Sequence, residues 1–214
     1  MSLHDSKSVA PTLESYAQAL RETGSVLIPS DIFFTASEVR QLEQLQAQLP
    51  EETVTDGDAG DQHSIYVRRI LLDRAGEMPT VVNEPHSQQM LEILDAPVRQ
   101  QALSFLFGSN ERQYIRRCQM NRMTTGSFIG HHLDAASNPD YDYSLILQLG
   151  QHFEGGEFIV HGKEGERYAY QSSYGSVLIT VCTLRHEVSE VTAGERNSLV
   201  YFYARNDGVN RRDQ

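Results

Sequence analysis

Apolar positions in the first fifty residues recur at helical spacing. Leu13, Tyr16, Ala17 and Leu20 fall on one helix face, and Gly24 follows as a stop. The run Ser25–Pro29 predicts a short strand. Thr35 with Glu38 forms a capping-box pattern, and Phe34 and Val39 are placed to staple the start of a second helix. Val39, Leu42, Leu45 and Leu49 supply its apolar stripe, and Pro50 ends it. Residues 51–61 hold five acids, two glycines and no base, which predicts a surface loop able to act as a lid. Ser87–Phe107 reads as helical again, interrupted at Pro97 and stopped by Gly108.

From Arg112 the texture changes to short apolar or alternating runs separated by Gly, Asn, Asp and Ser. The predicted strands are Gln113–Met123, Ser127–Leu133, Tyr143–Gly150, Gly156–His161, Arg167–Gln171, Ser176–Val181, Arg185–Val191 and Arg196–Ala204. Eight strands in about 95 residues predict a sandwich or barrel rather than alternating βαβ units. The expected architecture is an all-β core with a helical N-terminal layer (α+β). The core is a double-stranded β-helix, the jelly-roll or cupin-like arrangement. We expect a single domain over 1–214, with a mainly helical and looped buttress over 1–111 and the jelly-roll core over 112–205.

Composition changes this picture little. Apolar content is 39% and charged content 22%, ordinary for a globular chain. The net charge of −11 repels phosphate backbones, so nucleic acid is an unexpected partner. No apolar run reaches the roughly 20 residues of a membrane span, and Met1–Ala10 is polar with no apolar signal core. A cytoplasmic location is therefore expected, and the oligomeric state is left open. Cys118 and Cys182, the two cysteines, imply no disulfide framework and are expected as buried thiols on strands.

The candidate chemistry sits in the strand-rich part. His132 and Asp134 alternate with His131 and Leu133 at a predicted strand end, so both point to one face. A histidine and a carboxylate on one face, with one distant histidine, describe the two-His-one-carboxylate arrangement that suits non-haem iron(II). His186 is the best third ligand. Arg196 and Ser198 follow it ten and twelve residues on. A hairpin turning at Thr192–Glu195 would set them on the strand beside His186. There a guanidinium and a hydroxyl can hold one end of a dicarboxylate whose other end reaches the metal. His131 faces the other side, and His152 and His161 have no carboxylate at a matching spacing. His63 and His86 lie in the loop-rich first half, and His4 near the terminus.

At these residues the sequence resembles the iron(II)/2-oxoglutarate-dependent dioxygenase superfamily, in its prolyl-4-hydroxylase-like branch. The resemblance covers about residues 112–205. It runs through Gly126 and His132-x-Asp134, Tyr143–Leu149, Phe153–Phe158, Gly175–Leu178 and His186-x-Val188 to Gly194-Glu195-Arg196. It implies that His132, Asp134 and His186 bind iron(II). It implies further that Arg196, assisted by Ser198, binds the distal carboxylate of 2-oxoglutarate, with O2 as the second co-substrate. Many relatives carry Tyr where this chain has Met123, and Lys where it has Arg196. Gln119 and Asn121 share a strand face with Met123 and are candidates to complete the co-substrate pocket. A looser similarity links the motifs to stand-alone enzymes that hydroxylate or halogenate free amino acids, including a lysine-chlorinating group. The halogenating members lack the ligand carboxylate, so Asp134 points to hydroxylation.

The expected substrate is a small molecule, an amino acid or related metabolite, since little chain remains for a macromolecule-binding module. The alternatives are a peptidyl (prolyl-type) hydroxylase and a non-catalytic jelly roll that binds a metal or dicarboxylate. Asp140 and Asp142 are candidates to meet a substrate ammonium. Arg68, Arg69, Arg116 and Arg117 are candidates to meet a substrate carboxylate.

Overall fold

The computed structural model describes residues 12–56 and 62–212. The first turn of helix α1 (Leu13–Thr23) is capped by the Thr12 side chain, and Gly24 closes it in the left-handed conformation. Strand β1 (Ser25–Ile28) follows. Helix α2 (Ala36–Gln46) starts with the expected capping box, the Thr35 amide donating to Glu38 at 2.8 Å and the Glu38 amide to Thr35 at 3.3 Å. It ends one turn short of the predicted stripe, although Leu49 stays buried. The helical stretch before Arg112 is two helices, α3 (His86–Leu94) and α4 (Pro97–Phe107). Pro97 takes the first turn, where its missing N–H costs nothing, and Gly108 closes α4.

The interval between α2 and α3 departs from expectation. It holds β2 (Glu52–Asp56), β3 (Gln62–Leu72) and the two-residue β4 (Thr80–Val81). The surface loop expected over 51–61 is a strand in its first half, and the remainder, 57–61, lies outside the described residues. The acids did not prevent pairing because bases answer them. Glu51 bonds Arg122 at 2.7 Å and Arg68 at 3.3 Å, and Glu52 pairs with Arg69. The apolar alternation Ile65, Val67 then pins β3 to its neighbours. The N-terminal part is thus not only helices and loops.

The remaining strands are β5 (Tyr114–Thr124), β6 (Ile129–His132), β7 (Tyr143–Gln148), β8 (Phe153–Gly155) and β9 (Phe158–His161). They continue with β10 (Arg167–Tyr170), β11 (Val177–Val181), β12 (Arg185–Val188) and β13 (Val191–Ala204). Among the described residues they form two antiparallel sheets. The major, nine-stranded sheet runs β1-β11-β7-β13-β5-β3-β2, with β4 beside β3 and β8 beside β13. The minor, four-stranded sheet runs β10-β9-β12-β6. This is the double-stranded β-helix.

Period-two alternation divides the core into two layers. Leu199, Tyr201 and Tyr203 of β13, with Cys118 and Met120 of β5, face the helices and pack on Tyr16, Leu42, Met90 and Leu103. Met123, Ile146 and Leu178 of the major sheet meet Phe158, Val160 and Val188 of the minor sheet. Both cysteines are buried thiols, as expected, with Cys118 on β5 and Cys182 just past β11.

The hairpin expected around Thr192–Glu195 does not form. The stretch belongs to the long strand β13, which pairs with β5, β7 and β8 and not with β12. The pairing with β8 is irregular between Val191 and Ala193, and Gly194 (φ +74) follows, where a Cβ would meet the His152 carbonyl oxygen at 2.2 Å. A glycine inside a strand signals a bulge or a close backbone approach as readily as a turn. After β12 the chain crosses to the other sheet, so Arg196 and Ser198 face His186 from across the sandwich.

Candidate active site

One cleft between the sheets is lined by His132, Asp134, His186, Arg196, Ser198, Gln119 and Asn121 together. His132 and His186 are directly opposite each other on β6 and β12. Asp134 opens a 3-10 turn just past β6, and the extended backbone at Leu133 preserves the alternation that turns it toward His132. The His132 Nε2 lies 3.6 Å from one Asp134 oxygen, and the His186 Nε2 3.4 Å from the other. All three donor atoms lie within 4.8 Å of one another, the only such group of His, Cys, Asp and Glu among the described residues.

Both imidazoles are oriented from behind. The His132 Nδ1 lies 2.8 Å from the Gly130 carbonyl, and the His186 Nδ1 lies 3.1 Å from that of Leu184. A carbonyl can only accept, so each Nδ1 carries the proton and each Nε2 lone pair faces Asp134 and the cleft. Burial pushes the Asp134 carboxyl up, but His186 and His132 in their protonated forms, as they would stand without a metal, outweigh it and hold the group below the usual carboxylate range. Two imidazole nitrogens and an ionised carboxylate, open to a cleft on one side, form a donor set that fits iron(II).

Arg196 is 2% exposed. Its Nη1 donates to Ser198 Oγ at 3.2 Å, while Nε and Nη2 have no partner. Burial alone pushes its pKa down to about 10. An uncompensated cation at this depth is costly unless an anion joins it. The donor set therefore fits a carboxylate, as 2-oxoglutarate would supply. The Met123 sulfur touches Nη1 at 3.8 Å and contributes no oxygen. The nearby polar wall comes from β5, where Arg117 donates through Nη2 to the Gln119 amide oxygen at 3.1 Å and Gln119 donates to Asn121 at 2.7 Å.

Several candidates sit elsewhere. Asp140 pairs with Arg211 and accepts from Asn206 at 2.7 Å. Asp142 pairs with Arg205 at 3.0 Å. Neither lines the cleft, so neither awaits a substrate ammonium there. Arg116 is buried against Asp73 at 3.1 Å, and Arg68 bonds the Leu49 carbonyl and Glu51. Arg69 and Arg117 do line the cleft. His161, expected to lack a carboxylate, has Glu187 at 3.1 Å and stacks edge-on against His131, away from the triad. The walls also include Val54, Ile65 and Val67, from β2 and β3, where no strand was expected. Their signal was the alternation Ile65, Val67, Arg69.

A two-histidine, one-carboxylate centre inside a double-stranded β-helix defines a non-haem iron protein of the open-site type. The family model of the 2OG-Fe(II) oxygenase superfamily matches residues 118–204. A solved oxidoreductase of the 2OG-Fe(II) oxygenase family from Burkholderia pseudomallei is 51% identical, over 96% of each chain, with a TM-score of 0.93. The chain belongs to the 2OG-Fe(II) oxygenase family and is a 2-oxoglutarate-dependent dioxygenase. A PKHD-type hydroxylase from Parvibaculum lavamentivorans is 36% identical over 100 residues, 45% of each protein, so the chain matches less than half of that relative's length. A Pseudomonas putida prolyl-4-hydroxylase shares the fold, with 19% identity, a TM-score of 0.64, and coverage of 91% of this chain and 100% of that one. No helix among the described residues is long and apolar enough to cross a membrane.

Proposed function

We propose that the chain hydroxylates an unactivated C–H bond. In this reading His132, Asp134 and His186 hold iron(II), and Arg196 with Ser198 holds the far carboxylate of 2-oxoglutarate. Iron(II) with 2-oxoglutarate as reductant supplies the oxidising power drawn from O2, one oxygen atom going to substrate and one to succinate, with loss of CO2. The protein's part is placement. Arg196 neutralises one end of the diacid, and its Nε and Nη2 match the planar, bidentate demand of a carboxylate. The backbone carbonyls of Gly130 and Leu184 keep both imidazoles in the tautomer that offers Nε2. The apolar walls, with Ile146, Phe158 and Val188, exclude water from the reacting carbon. The carrying observation is the buried, two-thirds unpartnered guanidinium of Arg196 in the same cleft as the triad.

The substrate is a small molecule, an amino acid or related metabolite, or a residue within a peptide. The peptidyl, prolyl-type reading has a specific observation in its favour. Arg69 and Arg117 wall both the metal cleft and a second cleft beside it, lined by Pro50, Glu52 and Asn83, so the site has room to extend. The named hydroxylase relatives favour the same reading. Succinate release by the iron(II)-loaded protein, with free amino acids and proline-containing peptides offered separately, tests the proposal. Stimulation by one class, with equal yields of succinate and hydroxylated product, assigns it. If 2-oxoglutarate is neither bound nor consumed, the catalytic reading fails.

A further inference from the structure

Asp73, just past β3, and Arg116 of β5 form an ion pair whose side chains are 0% and 2% exposed. A charge pair at that depth adds little net stability, because desolvation offsets the attraction. What the pair holds is therefore the informative part. Each Asp73 oxygen accepts one bond, from Arg116 Nη2 at 3.1 Å and from the Asn138 side-chain amide at 2.8 Å. Asn138 is itself fully buried and stands four residues after Asp134. The other Arg116 terminal nitrogen, Nη1, donates to the Asn206 carbonyl at 3.2 Å.

Asp134 needs such support more than the two histidines do. His132 and His186 face each other on paired strands, whose ladder fixes them. Asp134 lies past the end of β6, in the single 3-10 turn Asp134–Ala136. Local bonds hold that turn. The Ala135 amide donates to the Cys182 carbonyl at 3.1 Å, and the Ser137 amide to the Asp134 carbonyl at 2.9 Å. Asn138 then uses both ends of its side chain. Its oxygen accepts from the Asp140 amide at 2.9 Å, which closes the next turn, and its nitrogen ties that turn to Asp73. The segment after β13 adds a second tie. Asn206 donates to Asp140 at 2.7 Å, and the Asn210 side chain donates to the Asp73 carbonyl at 3.3 Å and reaches that of Ser137 at 3.5 Å. Asn210 is pinned in turn, its amide donating to the Glu77 carbonyl and its carbonyl accepting from Gly76, both at 2.9 Å.

We infer that Asp73 and Asn138 are positioning residues for Asp134. Through them the buried Arg116–Asp73 pair and the segment Asn206–Arg211 fix where the carboxylate stands opposite the two imidazoles. The inference rests on Asp134 as a ligand of the iron(II) centre. Neither residue touches the metal position. They act on it through four residues of backbone, so their loss should loosen the metal while leaving the sheets intact.

The test uses the full chain, with manganese(II) for affinity and cobalt(II) for its visible spectrum. Asn138→Ala keeps the ion pair and removes both side-chain bonds of Asn138. It should weaken manganese(II) binding about tenfold or more and shift the cobalt(II) spectrum toward that of Asp134→Ala. Leu103→Ala, in the helix-facing layer of the core, controls for lost stability alone. Its Tm should fall while its metal affinity and spectrum stay as in the wild type. Asp73→Asn turns an acceptor into a donor facing the Asn138 donor, and should also weaken the metal. Combining it with Asn138→Asp conserves net charge and remakes the bond with donor and acceptor exchanged, so most of the lost affinity should return. The inference is overturned if Asn138→Ala keeps wild-type affinity, if Leu103→Ala loses as much, or if the exchanged pair recovers nothing over Asp73→Asn. A wild-type protein that binds no manganese(II) would instead count against the ligand set itself.

Discussion

Arg196→Met should make the ligand-free protein more stable while abolishing its grip on 2-oxoglutarate. The guanidinium is 2% exposed and two of its three nitrogens lack partners. Burial lowers its pKa to about 10, well below its ordinary value in water, which corresponds to roughly 3 kcal/mol for keeping the charge in place. Because the folded value lies below the unfolded one, that cost is fully present at any pH below about 10. It fades progressively as pH rises from there toward the unfolded value. Methionine keeps most of the aliphatic stem and loses the bond to Ser198, worth about 1 kcal/mol. The balance is a gain of about 2 kcal/mol, or roughly 4–8 °C in Tm for a chain of this size. Scanning fluorimetry of metal-free wild type and variant measures this. Adding 2-oxoglutarate with manganese(II) should raise only the wild type strongly, by about 2.7 kcal/mol at a hundredfold excess over Kd. A variant whose ligand-free Tm falls by several degrees would refute the reasoning, since it would mean that the fold itself needs the charge.

Asp134→Ala removes the carboxylate from the donor set, so metal content after iron(II) loading and gel filtration should fall to a small fraction of wild type. Retention of stoichiometric iron with full hydroxylation would take Asp134 out of the ligand set. Gly156→Ala places a Cβ 2.8 Å from the Arg196 Cδ at a backbone φ of +63. It should cost about 1–2 kcal/mol of stability and weaken 2-oxoglutarate binding several-fold, checked by denaturation and titration calorimetry. Burial pushes the Cys118 and Cys182 thiols and the Tyr201 and Tyr203 phenols up. Their neutral forms support the fold fully below the unfolded values of about 8.5 and 10. Stability should therefore decline as pH rises from about 9, in urea melts across pH 7 to 11. For the same reason neither thiol should react with a disulfide reagent at pH 8 until the chain is unfolded.

Local rules were legible where one element decides the outcome. The Thr35–Glu38 box, the break at Pro97, and the approach of His132 and Asp134 on one side of the chain need only short-range geometry, and each is present. Gln119 and Asn121 stand in the cleft because period two carries them to the face of Met123. What the sequence hid depends on pairing. Glu51 and Glu52 look solvated until Arg68, Arg69 and Arg122 are brought beside them by strands distant in the chain. The β3 alternation was masked by the acidic stretch before it. Asp140 and Asp142 resemble ligand groups in sequence, yet Arg211 and Arg205, more than sixty residues on, take them up.

The misplaced hairpin shows most clearly how the site works. Adjacent strands lie about 4.8 Å apart, whereas stacked sheets lie about 10 Å apart. A hairpin would have set Arg196 on the strand next to His186, with no space for a five-carbon diacid between guanidinium and metal. By crossing to the other sheet after Val188, the chain places the cation across the core from the ligands. The gap is then set by the packing of Met123 and Ile146 against Phe158 and Val188. The sheet that carries Arg196 also carries Arg69 and Arg117. The two histidines therefore stand on one sheet and the arginines of the cleft on the other. A substitution that changes the spacing between sheets should disturb 2-oxoglutarate binding before it disturbs metal binding.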